Sequence, residues 1–291
     1  MAFTGLFVPL VTPFTAQGDV AGAALETLAR SVLDDGASGL VALGTTAEAA
    51  NLTAQERRTI VDVCAEVCGE RGAPLVVGTG SNSTDASVDA MSDVDARAAA
   101  ALVVVPYYSR PSEDGVVEHF RRLAAACPVP VLVYHVPYRT GRSLTAGTLA
   151  RLARIPNVVG FKHAVGGIDD DTVAFLGATA AHTSILAGDD LHAAPMLALG
   201  ASGAIMASAN VATRAYADLV AAWRAGATDR ARRLHDRLVP LTRALFAEPN
   251  PVVVKAVLAH RGRIPSPDVR LPLLASSAAA TAAALDCLPI S

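Results

Sequence analysis

Short apolar, β-branched runs alternate along the chain with longer Ala-rich or amphipathic stretches, a pattern that predicts strands and helices in turn. Eight runs stand out: 6–10 (LFVPL), 39–43 (GLVAL), 74–78 (PLVVG), 101–105 (ALVVV), 130–134 (PVLVY), 157–161 (NVVGF), 183–187 (TSILA) and 203–207 (GAIMA). Their near-continuous hydrophobicity suits parallel strands covered on both faces. The intervals admit crossover helices, with Thr53, Ser83, Ser112, Thr145 and Thr213 placed to cap first turns. Eight such units predict an α/β fold, a closed (β/α)8 TIM barrel. A doubly wound sheet stays open as the alternative, although no GxGxxG follows the first strand. Beyond residue 225 only helical patterns remain, at 228–247, 250–260 and 272–286. The expected division is a barrel over 1–225 and a C-terminal helical appendage over 226–291.

Composition narrows the class. With 52% hydrophobic and 18% charged residues and a net charge of -3, the chain reads as a globular enzyme, not as a disordered or nucleic-acid-coating protein. The N-terminus lacks a basic leader, Pro9 and Pro13 interrupt it, and no apolar run reaches the roughly 18 residues of a membrane span. A soluble cytoplasmic protein without nucleic-acid or membrane partners is expected. Cys64, Cys68, Cys127 and Cys287 are too few and too irregular for a disulfide framework. Cys64 and Cys68 share a helix face, yet no His or second Cys pair stands at a zinc-site spacing, so packing is preferred and no metal site is expected.

Lysine usage is more informative. Of 24 basic residues only Lys162 and Lys255 are lysines, so a retained lysine calls for a reason. Arginine forms no imine, whereas a buried lysine can lose its proton and attack a carbonyl. Lys162 follows Val158, Val159, Gly160 and Phe161, which carry it toward an apolar interior where desolvation lowers its pKa. It is the candidate nucleophile; a lysine paired with a carboxylate at the barrel mouth is the alternative. Lys255, inside PNPVVVKAVL, suits an ion pair. Active sites of barrels lie at the C-terminal strand ends, which here carry Gly44-Thr45-Thr46, Tyr107-Tyr108, Tyr134 with Arg139, Lys162, and Gly188-Asp189-Asp190. Tyr134 lies one strand before Lys162 and can act as an acid/base or serve as a buried structural phenol. The 44–46 turn offers amides and hydroxyls to a carboxylate.

Taken in order, GTTAE at 44–48, PYY at 106–108, YHVPYRTG at 134–141, GFKHA at 160–164, AGDD at 187–190, GAIMASAN at 203–210 and EPNPVVVK at 248–255 resemble the dihydrodipicolinate synthase and N-acetylneuraminate lyase family. These are class I, pyruvate-dependent aldolases, and the similarity spans essentially the whole chain. The resemblance implies that Lys162 forms an imine with pyruvate, without metal or other cofactor. Tyr134 is then the acid/base, and Thr45 with Tyr108 forms a proton relay, Tyr108 acting in a neighbouring subunit of a dimer or tetramer. The amides of Thr45 and Thr46 bind the pyruvate carboxylate, while Ile205, through its carbonyl, and Gly188 line the substrate site.

Arg139 bears on the second substrate, since a guanidinium holds the carboxylate of aspartate semialdehyde bidentately and sugar-acid lyases of the family usually lack it. The pattern RTG, PYY and GTT is that of the synthase branch, which serves lysine and diaminopimelate synthesis. A family member acting on a sugar-derived or specialised 2-keto acid, a non-catalytic keto-acid-binding paralogue, and a metal-dependent barrel enzyme remain as alternatives. Four positions depart from the family's pattern: Ala47 for Gly, Ala49 for Ser, His135 for Asn and His163 for Glu. Ala47 is expected to strain its turn or narrow the pocket. Ala49, Ala54 and Ala86 stand where lysine-inhibited members carry polar groups, which implies weak or no inhibition by lysine.

Overall fold

The eight apolar runs become eight parallel strands whose order closes on itself from β1 to β8 in a computed structural model describing residues 2–288. Met1 and residues 289–291, the outer ends of the expected barrel and appendage, lie outside the described residues. In chain order the first half holds β1 (Gly5–Pro9), α1 (Gly22–Asp34), β2 (Gly39–Ala42), α2 (Ala54–Arg71), β3 (Leu75–Thr79), α3 (Thr84–Met91), β4 (Ala100–Val104) and α4 (Glu113–Ala126). There follow β5 (Val131–His135), the single turn α5 (Pro137–Thr140), α6 (Ala146–Ala153), β6 (Val158–His163), α7 (Asp170–Thr179), β7 (Ser184–Ala187), α8 (Ala193–Ala198) and β8 (Gly203–Ile205). The chain continues through α9 (Ala209–Arg224), α10 (Thr228–Leu245), α11 (Val252–His260) and α12 (Ala278–Asp286).

Strand boundaries differ from the apolar runs where the backbone, not the side chain, decides. β2 stops at Ala42 because Leu43 takes a left-handed φ of 54°, which no strand accommodates. Four expected caps are present: Thr53, Ser83, Ser112 and Thr145 each accept an amide hydrogen from the first turn of α2, α3, α4 and α6. Thr53 forms a full capping box, with Glu56 Oε2 accepting the Thr53 amide at 2.8 Å. Thr213 is a correction. It lies inside α9, which kinks at Ala212 (φ -134°, ψ 53°), and its hydroxyl donates back to the Ala209 carbonyl at 2.6 Å. A hydroxyl after a kink has a free carbonyl one turn behind it, and that acceptor competes with capping.

The chain forms two compact units. One comprises residues up to Gly5 with Val76–Ile205. Here β5 and β6 pair with Tyr134 opposite Lys162 and His135 opposite His163, and β6 pairs with β7 with Lys162 opposite Leu186. Alternation along a strand sends Phe161 and His163 toward α7, where Phe161 meets Phe175 edge to face at 4.9 Å, and sends Lys162 the other way.

The second unit comprises Leu6–Leu75 and the chain from Met206 onward. Asn210, at the start of α9, staples the end of β1: its Nδ2 donates to the Pro9 carbonyl at 2.8 Å and its Oδ1 accepts the Val11 amide at 3.3 Å. The C-terminal helices stay within this unit, and Tyr216 on α9 and Thr242 on α10 share a buried hydrogen bond of 2.7 Å. Cys64, Cys68 and Cys127 are buried free thiols, and burial pushes the Cys68 thiol up to about 12. No described helix is long and apolar enough to cross a membrane.

Candidate active site

In the first unit, Lys162 is the fifth residue of β6 and only 6% exposed. Its Nζ lies 4.4 Å from the centroid of the Tyr134 ring on the adjacent strand. The loop after β7 completes the enclosure. The Gly188 amide donates to the His163 carbonyl at 2.7 Å, and a methyl at Gly188 would stand 2.7 Å from Lys162 Cγ and 3.0 Å from its Cε. Only a residue without a side chain leaves the lysine stem its path. Lys162, Tyr134 and Gly188 therefore lie side by side at the ends of β5, β6 and β7.

Arg139 sits on α5, between β5 and α6. Its Nε donates to the Tyr138 hydroxyl at 2.9 Å and its guanidinium carbon lies 5.0 Å from that ring, which leaves the two outer amino groups for a planar anion. Burial raises the Tyr138 pKa, with Arg139 opposing and the neighbouring Tyr134 and Asp189 adding to the rise. Ile205 closes β8 and is fully buried. Tyr108 differs: it is 89% exposed, with a left-handed φ of 67°, and so is not packed on buried Lys162 of its own chain.

In the second unit, Thr45 and Thr46 open a 3₁₀ turn, Thr45–Ala47, after an extended Gly44. Ala47 and Glu48 bond back to the Gly44 and Thr45 carbonyls at 3.0 and 3.1 Å, so the first two amides have no acceptor in the turn. Thr46 is buried, and its hydroxyl oxygen accepts from Asn250 Nδ2 at 2.9 Å, which leaves its own proton to donate. Two amides and one hydroxyl proton are donors of the kind a carboxylate accepts from. Behind them Glu48 accepts from Lys255 Nζ at 2.8 Å and from the Arg270 amide at 2.7 Å, with both side chains of the Glu48–Lys255 pair fully buried. Lys255 Nζ also lies 4.0 Å from the Phe14 ring centroid. Burial lowers the Lys255 pKa, and Glu48 opposes the change. The two lysines thus have separate surroundings: one faces a phenol, the other is neutralised in the core.

The profile of the Dihydrodipicolinate synthetase family matches residues 2–287. The chain belongs to that family. The 4-hydroxy-tetrahydrodipicolinate synthase of Syntrophus aciditrophicus (strain SB) is 41% identical over 277 residues, covering 93% of this chain and 92% of that protein. The same enzyme of Hyphomonas neptunium is 42% identical over 284 residues, covering 96% and 95%. Among solved structures, the synthase from Methylacidiphilum fumariolicum SolV superimposes with a TM-score of 0.92 at 33% identity, covering 98% and 94%. The chloride-inhibited enzyme of Acinetobacter baumannii, complexed with pyruvate, does so at 0.93 and 34%, covering 98% and 97%.

Within this member of the dihydrodipicolinate synthetase family, three of the four positions that depart from the family pattern have structural answers. The left-handed residue of the 44–48 turn is Glu48 (φ 55°), not Ala47, whose carbonyl is held by the Thr12 hydroxyl at 2.7 Å. The expected strain at Ala47 is absent from the positive-φ positions. His135 and His163 form a buried pair, Nδ1 to Nδ1 at 3.5 Å, with ring centroids 5.2 Å apart. Burial drives their pKa values down to about 3 and about 4, so both rings are neutral at pH 7. Sequence reading missed Asn250, Arg270 and the partners of the two histidines. EPNPVVVK marked Asn250 as part of a motif, but nothing in the spacing pointed to Thr46, more than two hundred residues earlier.

Proposed function

We propose that this member of the dihydrodipicolinate synthetase family is a cytoplasmic Schiff-base aldolase that condenses pyruvate with L-aspartate semialdehyde to 4-hydroxy-tetrahydrodipicolinate, in lysine and diaminopimelate synthesis. The observation that carries the reading is the enclosed Lys162, its Nζ facing the Tyr134 ring at 4.4 Å, in a chain that keeps only one other lysine. The amine adds to pyruvate C2, and Tyr134 protonates the departing hydroxyl, so that water leaves and a protonated imine remains. The iminium withdraws electrons, the former methyl gives a proton to the Tyr134 phenolate, and the enamine attacks the aldehyde carbon, whose oxygen takes that proton back from Tyr134. The amino group of the former semialdehyde then attacks the imine carbon, and the Lys162 amine leaves as the ring closes to 4-hydroxy-tetrahydrodipicolinate. The iminium itself supplies the electron sink.

The remaining roles follow the donors available. Thr45 and Thr46 amides and the Thr46 hydroxyl proton receive the pyruvate carboxylate. Arg139 receives the semialdehyde carboxylate, Gly188 and the Ile205 carbonyl line the substrate site, and Thr45 passes protons to Tyr108 of a neighbouring subunit in a homodimer or homotetramer. With Ala49, Ala54 and Ala86 in place of polar groups, the enzyme is expected to ignore lysine; a micromolar inhibition constant contradicts this. The test of the covalent step is incubation with pyruvate and borohydride followed by peptide mass spectrometry. A reduced pyruvyl adduct on Lys162 is expected. Folded protein that traps no adduct, or traps it on Lys255, overturns the reading.

A further inference from the structure

Arg139 rides on a short excursion of chain that leaves β5 at His135 and returns at Leu144. At its neck the Leu144 amide donates to His135 Nε2 at 3.3 Å, with both residues buried, and just inside it the Thr140 hydroxyl lies 3.3 Å from the Val136 carbonyl and accepts the Arg142 amide at 3.3 Å. A neutral imidazole that accepts at Nε2 carries its hydrogen on Nδ1. That hydrogen points at His163 Nδ1, 3.5 Å away, which must therefore accept, so His163 carries its own hydrogen on Nε2. His163 Nε2 meets Thr172 Oγ1 at 2.9 Å, and Thr172 in turn gives both its hydroxyl and its amide, the latter at 2.8 Å, to the Asp169 carboxylate. Every donor in the chain from Leu144 to Asp169 faces the same way, ending on an anion. One tautomer of each ring satisfies all of it.

We propose that the His135–His163 pair is a positioning relay that closes the neck of the Arg139 loop and so sets the affinity for the carboxylated aldehyde. Both histidines lie on the strand face opposite Lys162 and Tyr134, so they touch no reacting atom; they act through the loop. His163 fixes the His135 tautomer from behind, as outer partners fix the ring of a metal-binding histidine. Replacing His163 by an apolar residue frees His135 to carry its hydrogen on Nε2, where it would face the Leu144 amide donor to donor. The proposal rests on the reading of Arg139 as the carboxylate clamp.

The test combines kinetics and long-range ¹H–¹⁵N NMR on the intact enzyme labelled in its seven histidines. In the wild type His135 is expected as the Nδ1–H tautomer and His163 as the Nε2–H tautomer; a charged ring or the reverse tautomer at His135 overturns the relay. His135→Leu and His163→Leu are expected to raise KM for aspartate semialdehyde about tenfold, the scale of one lost hydrogen bond. Pyruvate trapping at Lys162 should stay within about twofold on the same scale. His135→Gln, whose carbonyl can still accept from Leu144, should restore the wild-type KM. It also keeps the test available where the leucine variants fail to fold. Equal losses in kcat and in both KM values, without rescue by glutamine, mark a merely structural pair and overturn the proposal. Arg139→Ala separates the two readings. If it raises the semialdehyde KM while the histidine variants do not, the relay is overturned and the clamp stands. If it leaves that KM unchanged, the clamp is overturned and the relay's role in affinity goes with it.

Discussion

At the residue scale, Lys162 was legible because the chain spends lysine so sparingly, and its strand neighbours Tyr134 and Phe161 could be read from adjacent runs. Gly188 was visible as a strand end, but its role was not, because a missing side chain shows its purpose only against what would collide with it. Gly188→Ala would press a methyl to 2.7 Å from Lys162 Cγ. The expected outcome is a fall in kcat and in the rate of borohydride trapping by about a hundredfold, the cost of an ångström-scale displacement of a reacting group. The fold should survive, since the atoms nearest the methyl all belong to side chains, the flexible Lys162 stem and the Ala164 methyl at 3.0 Å, and none to the backbone. Wild-type trapping in a correctly folded Gly188→Ala protein would show that Lys162 does not need this space. A second prediction concerns His119, His135 and His163, whose burial lowers their pKa values to about 4, about 3 and about 4. In the unfolded chain each titrates near 6.5. Folding therefore excludes protons: stability is complete above about pH 6.5 and is lost as pH falls toward the folded values, by about 2 kcal/mol per histidine at pH 5. Urea unfolding across that range should show the decline, shallower in His119→Gln; an unchanged unfolding free energy between about pH 7.5 and about pH 5 contradicts it.

At the element scale, the alternation of strands and helices was readable because parallel strands buried on both faces are continuous apolar runs, and local caps such as Thr53 announce themselves within four residues. The supports of the 44–48 turn were not readable, because Glu48 finds Lys255 and Arg270 through the fold rather than through spacing. This turn is held by an ion pair whose two side chains are fully buried. Lys255→Met leaves Glu48 with the Arg270 amide alone and is expected to cost about 3 to 5 kcal/mol, as for other broken buried pairs. Lys255→Met with Glu48→Gln removes both charges and should regain much of that loss. Denaturant titrations of the single and double variants measure the difference. A double variant no more stable than Lys255→Met means that the buried charge is not what the pair neutralises. Because Thr45 and Thr46 share the turn, pyruvate KM should rise with the instability in the single variant.

At the scale of the whole molecule, the sequence resemblance implied an assembly that no single chain displays, and Tyr108 is where that implication meets the structure. An aromatic side chain 89% exposed beside the half-exposed Tyr107 has no packing role within its own chain. A tyrosine held out on a left-handed backbone suits a group delivered to another subunit's site, which requires a dimer at least. Lys162→Ala and Tyr108→Phe proteins should each be nearly inactive alone. Mixed after brief dissociation, they form hybrids in which the Tyr108→Phe chain supplies Lys162 and the Lys162→Ala chain supplies Tyr108. Random one-to-one pairing makes about a quarter of the sites whole, because half the dimers are hybrid and each hybrid has one complete site. Activity should therefore rise toward that fraction on mixing. If sedimentation shows that hybrids have formed and the rate stays at the sum of the two parents, Tyr108 works within its own chain or not at all, and the proton path must begin elsewhere.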